Sequence, residues 1–235
     1  SHPDLQSELT AFAEREGHTI VFTQRQQPTW RVCTAYALCE LIKTALADQH
    51  IHDKVLIHTD TDLLVSGKAK DRLQNHRIGC GNSFFKFSNV RWKWTGKAKA
   101  DPRLQRFIQE MLDGDVSKLR SGRVCGAFMP WSVFQLFGVI FRYYFKDDYF
   151  KRKPERHWPV TEIAIPSILH FLEGQDATFS PPLIEVPKDK KVSRQAIDRL
   201  LKKGEQFGLK KIGRDTDSEA FHQLMHLQAQ AAGEA

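Results

Sequence analysis

The stretch Lys54-Val55-Leu56-Ile57-His58-Thr59-Asp60-Thr61-Asp62-Leu63-Leu64-Val65 sets an apolar run directly before two carboxylates one residue apart, and a second apolar run follows. Buried β-branched runs bounded by polar residues read as interior strands of a parallel sheet. Ligands in open α/β sheets gather at the carboxyl ends of such strands. Asp60 and Asp62 are therefore expected at a strand end, where a divalent cation, Mg²⁺ or Mn²⁺, and a phosphate meet them. The same carboxylates would also suit a plain turn after a strand.

The pattern around this run alternates. Residues 4–16 suit a helix with Leu5, Leu9, Phe12 and Ala13 on one face, stopped by Gly17. Residues 18–23 read as a strand. Residues 30–48 carry Val32, Tyr36, Cys39, Ile42 and Leu46 at helical spacing. Helix, strand, helix, strand predicts an α/β chain, and we expect a three-layer α/β/α sandwich with a mostly parallel central sheet. Further on, 83–94 and 123–129 read as strands. Residues 101–112, 131–144 and a segment opening at Trp158-Pro159-Val160-Thr161-Glu162 read as helices, the last stopped by Gly174. Ser180-Pro181-Pro182 marks a boundary. Beyond Pro187 the chain is rich in Lys and Arg, with short helical patterns at 193–207 and 218–232. The expected division is a main domain over 1–186 and a basic helical C-terminal extension over 187–235.

A net charge of +7 favours anionic partners: nucleotides, nucleic acid or an anionic membrane face. No apolar run is long enough to span a bilayer. Cys33, Cys39, Cys80 and Cys125 form no Cys-x-x-Cys pair, which argues against zinc and favours a reducing, cytoplasmic compartment. Phe137, Phe141, Tyr144 and Phe145 form either core or a hydrophobic surface for a partner or membrane; the second case would place the chain peripherally on the inner membrane. The opening Ser1-His2-Pro3, without an initiator Met, suggests that the natural chain begins earlier.

Three features recur in a set order: the Asp-x-Asp strand end (Asp60, Asp62), the small-residue strand and helix start Val124-Cys125-Gly126-Ala127-Phe128-Met129-Pro130-Trp131-Ser132, and the acidic helix opening at Glu162. This order resembles the nucleotide-sugar glycosyltransferases of the GT-A fold, especially bacterial polysaccharide enzymes, over residues 18–172. Residues 23–62 also look like the branching-type members, with Trp30 before a long helix. The resemblance implies that Asp60 and Asp62 hold the metal and the donor diphosphate. It implies that Gly126 and Trp131 help build the acceptor pocket and that Glu162 is the base. The implied ligands are a divalent metal, a nucleotide-sugar donor and a saccharide acceptor. The family's first strand and nucleotide-base loop have no counterpart before Leu5, so they lie upstream or the fold is a variant.

In such chemistry the cation neutralises the diphosphate leaving group, and Glu162 deprotonates an acceptor hydroxyl. Lys210, Lys211 or Arg214 closes over the phosphates. A solvated cationic face is the plain alternative for those three, a dipole-favoured early-helix carboxylate for Glu162, and core packing for Trp131. Two other functions compete. Arg91-Trp92-Lys93-Trp94-Thr95-Gly96-Lys97 downstream of the acidic run faintly resembles ribonuclease-H-like proteins and would suit single-stranded nucleic acid. A non-catalytic interaction module with a transferase-like fold is the other.

Overall fold

The computed structural model describes residues 3–25, 27, 29, 33–48, 50–59, 62–66, 68–146, 149, 153–186, 192–204, 207–211 and 217–233. Its helices are α1 (Pro3–Arg15), α2 (Ala35–Ala47), α3 (Lys68–Asn75), α4 (Thr95–Ala100), α5 (Pro102–Met111), α6 (Trp131–Phe145), α7 (Thr161–Glu173), α8 (Arg194–Lys203) and α9 (Glu219–Gly233). Its strands are β1 (Lys54–Leu56), β2 (Asp62–Leu64), β3 (Ser83–Phe84), β4 (Arg120–Ser121), β5 (Phe128–Pro130), β6 (Ile184–Glu185) and β7 (Gly208–Lys210).

The expected three-layer α/β/α sandwich is overturned. About 52% of the described residues are helix and 10% strand. Among the described residues the strands form three small sheets: β1 with β5, β2 and β6 flanking β7, and β3 with β4. Only β6 and β7 run parallel. The reason lies in the 54–65 run itself. Thr59 N–H donates to Asp62 Oδ2 at 3.0 Å, and Asp62 N–H donates to Thr59 O at 3.1 Å. This side-chain-assisted turn offers the backbone an alternative to a continuing ladder. β1 ends at Leu56 and β2 begins at Asp62, so the two apolar runs on either side of the carboxylates join different sheets and not one central sheet. Of the expected strand at 83–94 only β3 forms, and residues 18–23 belong to no strand. Trp30 lies outside the described residues.

The apolar residues a large sheet would have covered pack helix on helix instead. In α6, Phe134, Phe137, Phe141 and Phe145 recur every three or four residues on one face. Their successive ring centroids lie 6.2, 5.5 and 5.3 Å apart, and all four are buried. Tyr144 is buried as well, so the aromatic cluster is core. α2, α5 and α7 pack around α6. Gly138 permits the approach of α2, since a Cβ there would stand 2.7 Å from Ile42 Cγ2. α5 starts where Asp101 accepts from Arg103 N–H at 2.9 Å, with Pro102 at its first position.

Residues beyond 187 join this body through β7, which pairs antiparallel with β2 and parallel with β6. Ser193 caps α8, and Gly204 ends it in the left-handed conformation at φ +64°. Val65, Ile197, Leu200, Leu209 and Leu224 form a second, smaller apolar cluster there.

Candidate active site

Glu162 stands in the first turn of α7. Four residues later comes Pro166, buried inside the helix. Proline has no N–H, so the carbonyl four residues before it loses its helical donor. That carbonyl belongs to Glu162, and Gly122 N–H takes it at 2.9 Å. One turn on, Ser167 Oγ accepts from Arg120 N–H at 3.0 Å and donates to Arg120 O at 3.1 Å. The segment 120–123 is thereby fastened along α7, and Arg123 is brought to Glu162. Arg123 Nη1 donates to Glu162 Oε1 at 2.8 Å. Oε2 has no partner among the described residues.

Both side chains border a cleft of about 420 Å³, within the range of small-ligand sites. Its opposite wall is aromatic and amide: Phe85, Trp92 and Asn89. Trp92 is held edge-on by Phe85 at 5.4 Å and by Trp158 at 6.2 Å. Trp158 Nε1–H in turn donates to the buried Asp101 at 2.9 Å. The wall is thus anchored to the start of α5. Gly81 and Gly122 meet backbone to backbone on another side, where a Cβ on Gly81 would stand 2.5 Å from Gly122 Cα.

Burial raises the Glu162 carboxyl above the usual carboxylate range, and Arg123 opposes the shift without cancelling it. The helix N-terminus would favour charge; desolvation outweighs it here. A carboxylate with raised affinity for a proton and one open oxygen in a cleft is equipped to accept a proton from a bound hydroxyl.

A second group lies nearby. Asp62 and Lys210 are directly opposed across β2 and β7. Lys210 Nζ donates to Asp62 Oδ1 at 3.1 Å and to Thr59 Oγ1 at 2.6 Å, and it also hydrogen-bonds Cys125. The Asp62 side chain is fully buried. Burial disfavours the Lys210 ammonium, but Cys125 and Asp62 together hold its pKa above the usual lysine range. Burial pushes the Cys125 thiol up, and its electrostatic neighbours include Lys210, Asp62 and Glu162.

Of the residues singled out in the sequence, Asp62 and Lys210 come together, while Glu162 faces a cleft that neither of them lines; the 122–126 loop that ends in Gly126 runs between the two groups. Gly126 adopts φ +75° and holds the backbone: its N–H donates to Ile57 O at 2.8 Å, and a Cβ would stand 2.5 Å from Ile184 N. Trp131 packs elsewhere, stacked on Phe134 at 5.4 Å and edge-on to His52 at 5.1 Å. Lys211 follows β7 with φ +69°. Asp60 and Arg214 lie outside the described residues. Both Asp62 oxygens are engaged, by Lys210 and by Thr59 N–H. His58 Nδ1 is 4.0 Å from Oδ2. As placed, Asp62 offers a metal no open oxygen, and among the described residues no three His, Cys, Asp or Glu side chains gather as a metal site.

Arg123, Phe85 and Asn89 were not singled out in the sequence as site residues, and Trp92 was singled out only within the 91–97 run as a surface for single-stranded nucleic acid. One signal points to Arg123: a proline four residues after Glu162, which frees a carbonyl for another segment. Phe85 and Asn89 sit in a segment that reads as plain strand. No helix among the described residues is long and apolar enough to cross a membrane. No protein-family model, curated protein or solved structure matches the chain.

Proposed function

We propose that the chain is a glycosyltransferase that moves a sugar from a nucleotide-sugar donor to a hydroxyl of a saccharide acceptor. The reading rests on the site and not on the architecture, because one chemistry recurs on unrelated folds. The observation that carries it is Glu162: a burial-strengthened base with one open oxygen, in a cleft with an aromatic and amide wall. The acceptor hydroxyl gives its proton to Glu162 Oε2. Its oxygen bonds to the donor's anomeric carbon as the bond from that carbon to the diphosphate oxygen breaks, and the diphosphate leaves with the electron pair. Arg123 holds the carboxylate in place through Oε1. In this reading Lys210 is the cation that meets a donor phosphate. No step is assigned to a metal.

The test is release of nucleoside diphosphate from a panel of nucleotide sugars. Glu162→Gln should lower turnover by about 10²–10⁴-fold, the usual worth of a general base, with donor affinity kept. Equal turnover in the variant, or no release from any donor by the wild type, would remove the proposal. The interaction-module reading has one observation in its favour, the Asp62–Lys210 pair closed on itself, and it predicts that second result.

A further inference from the structure

One segment beside the Glu162 cleft carries positive charge with no acid of its own. Residues 86–99 carry five cations, Lys86, Arg91, Lys93, Lys97 and Lys99, and no Asp or Glu, whereas the whole chain balances 35 basic against 28 acidic residues. All but the half-buried Lys97 are exposed. Among the described residues, none of the five forms a salt bridge. The next acid along the chain, Asp101, is buried and held by Arg103 at 2.7 Å. Two residues of this same segment, Asn89 and Trp92, line the cleft.

The aromatic rings here are turned in and the charges out. Trp92 packs on Phe85 and Trp158. The Trp94 ring lies under the ammonium groups of Lys93 and Lys97, at 4.7 and 5.3 Å. Single-stranded nucleic acid needs open aromatic faces on which bases stack, and these two are occupied. A bilayer would find at the tip the side chain of Val90, 89% exposed, which is a small foothold. What the segment presents is positive charge beside a polar cleft, the complement of a chain of regularly spaced anions.

We propose that the acceptor is an acidic saccharide, bearing carboxylate or phosphate groups that lie along residues 86–99 while the reacting hydroxyl meets Glu162. The proposal deepens the transferase reading and rests on it. The cations also offset the repulsion that the Glu162 carboxylate exerts on an anionic chain.

Binding of a fluorescent hexa-galacturonate and of its methyl ester, which has the same backbone without charge, tests this. The wild type should bind the acid at least about tenfold more tightly at low salt, with the preference shrinking as salt rises. Arg91→Gln with Lys93→Gln, both at exposed positions, should cut the preference to about twofold. Equal affinities, no binding of either ligand, or a preference intact in the double variant would overturn the proposal. So would tighter binding of a twelve-residue oligothymidylate, which would make the wall a nucleic-acid surface. Glu162→Gln, which removes that repulsion, should keep or widen the preference for the acid. Failure of the transferase reading would show separately, as unchanged turnover of nucleotide sugars in that variant.

Discussion

Glu162 is pulled two ways, and the pulls can be separated. Burial raises its proton affinity and Arg123 lowers it. Removing the guanidinium in Arg123→Ala leaves burial unopposed, so the carboxyl pKa rises further. A base works only when ionised, so the acid limb of the kcat/KM profile should move to higher pH, and Arg123→Lys should restore most of the shift. A limb that stays put or moves to lower pH would show that Glu162 is not the titrating base. The same raised pKa bears on folding. A carboxyl whose folded pKa exceeds its unfolded value contributes stability below the unfolded value and loses it as pH rises through the folded one. Glu162→Gln, which mimics the protonated form, should therefore be no less stable than the wild type at pH 7, while Asp62→Asn should be less stable. That second change removes the Asp62 charge from Lys210. Breaking a fully buried pair costs about 3–5 kcal/mol. The Lys210 side chain is 24% exposed, so about 2 kcal/mol is expected after allowing for solvent screening. Urea unfolding at pH 7 would check both, and an unchanged midpoint for Asp62→Asn would show that the pair does not hold β2 to β7.

The cleft depends on two short segments that no propensity argument could place. β3 and β4 pair over only two residues each, and the flanking backbone, before β3 and after β4, comes so close that Gly81 and Gly122 leave no room for a methyl group. The opposing atoms are backbone and cannot swing aside. Gly122→Ala should cost about 2–3 kcal/mol, at the upper end for overpacking, and should weaken saccharide binding, because the Gly122 N–H to Glu162 O bond must stretch. Full stability with full binding, by urea unfolding and ligand titration, would place the close approach outside the site. Helices were legible from sequence for a definite reason. α5 and α6 bury one face each, so their apolar residues recur at three and four, α7 is buried nearly all round and reads as a continuous apolar run, and Asp101, Pro102 and Gly174 mark ends with groups that act locally. The strands were legible only as fragments: β1, β3 and β5 fall on expected strands but are two or three residues long, and their pairing was not legible. A short apolar run is compatible with a strand interior or with chain packed beneath helices, and which sheet each run beside the Asp62–Thr59 contact joins depends on the neighbour it finds. For Glu162 the residue was visible in its helix opening, whereas Arg123 and Trp92 arrive from other segments through contacts made only after folding.

The molecule has a large helical core around α6 and a smaller cluster built from α8, α9, β7 and Val65. Fewer buried apolar side chains mean a smaller free energy for local opening. Lys210 belongs to the smaller unit by strand and to the site by its bond to Asp62, so opening of that unit would also withdraw a cation from the Cys125 neighbourhood. Amide hydrogen exchange should therefore divide the chain. Amides of α6 and α7 should exchange only through global unfolding, while those of α8 and β7 exchange at a lower free energy. Leu209 is fully buried in the small cluster, and Leu209→Ala should cost about 2–4 kcal/mol of core packing. If the small unit opens by itself, that loss should speed exchange in α8 and β7 and leave the slowest α6 amides at their global rate, reduced only by whatever part of the loss reaches global stability. Equal acceleration in α6 and α8 would mean that both clusters unfold as one, and that Lys210 leaves the site only when the whole protein unfolds.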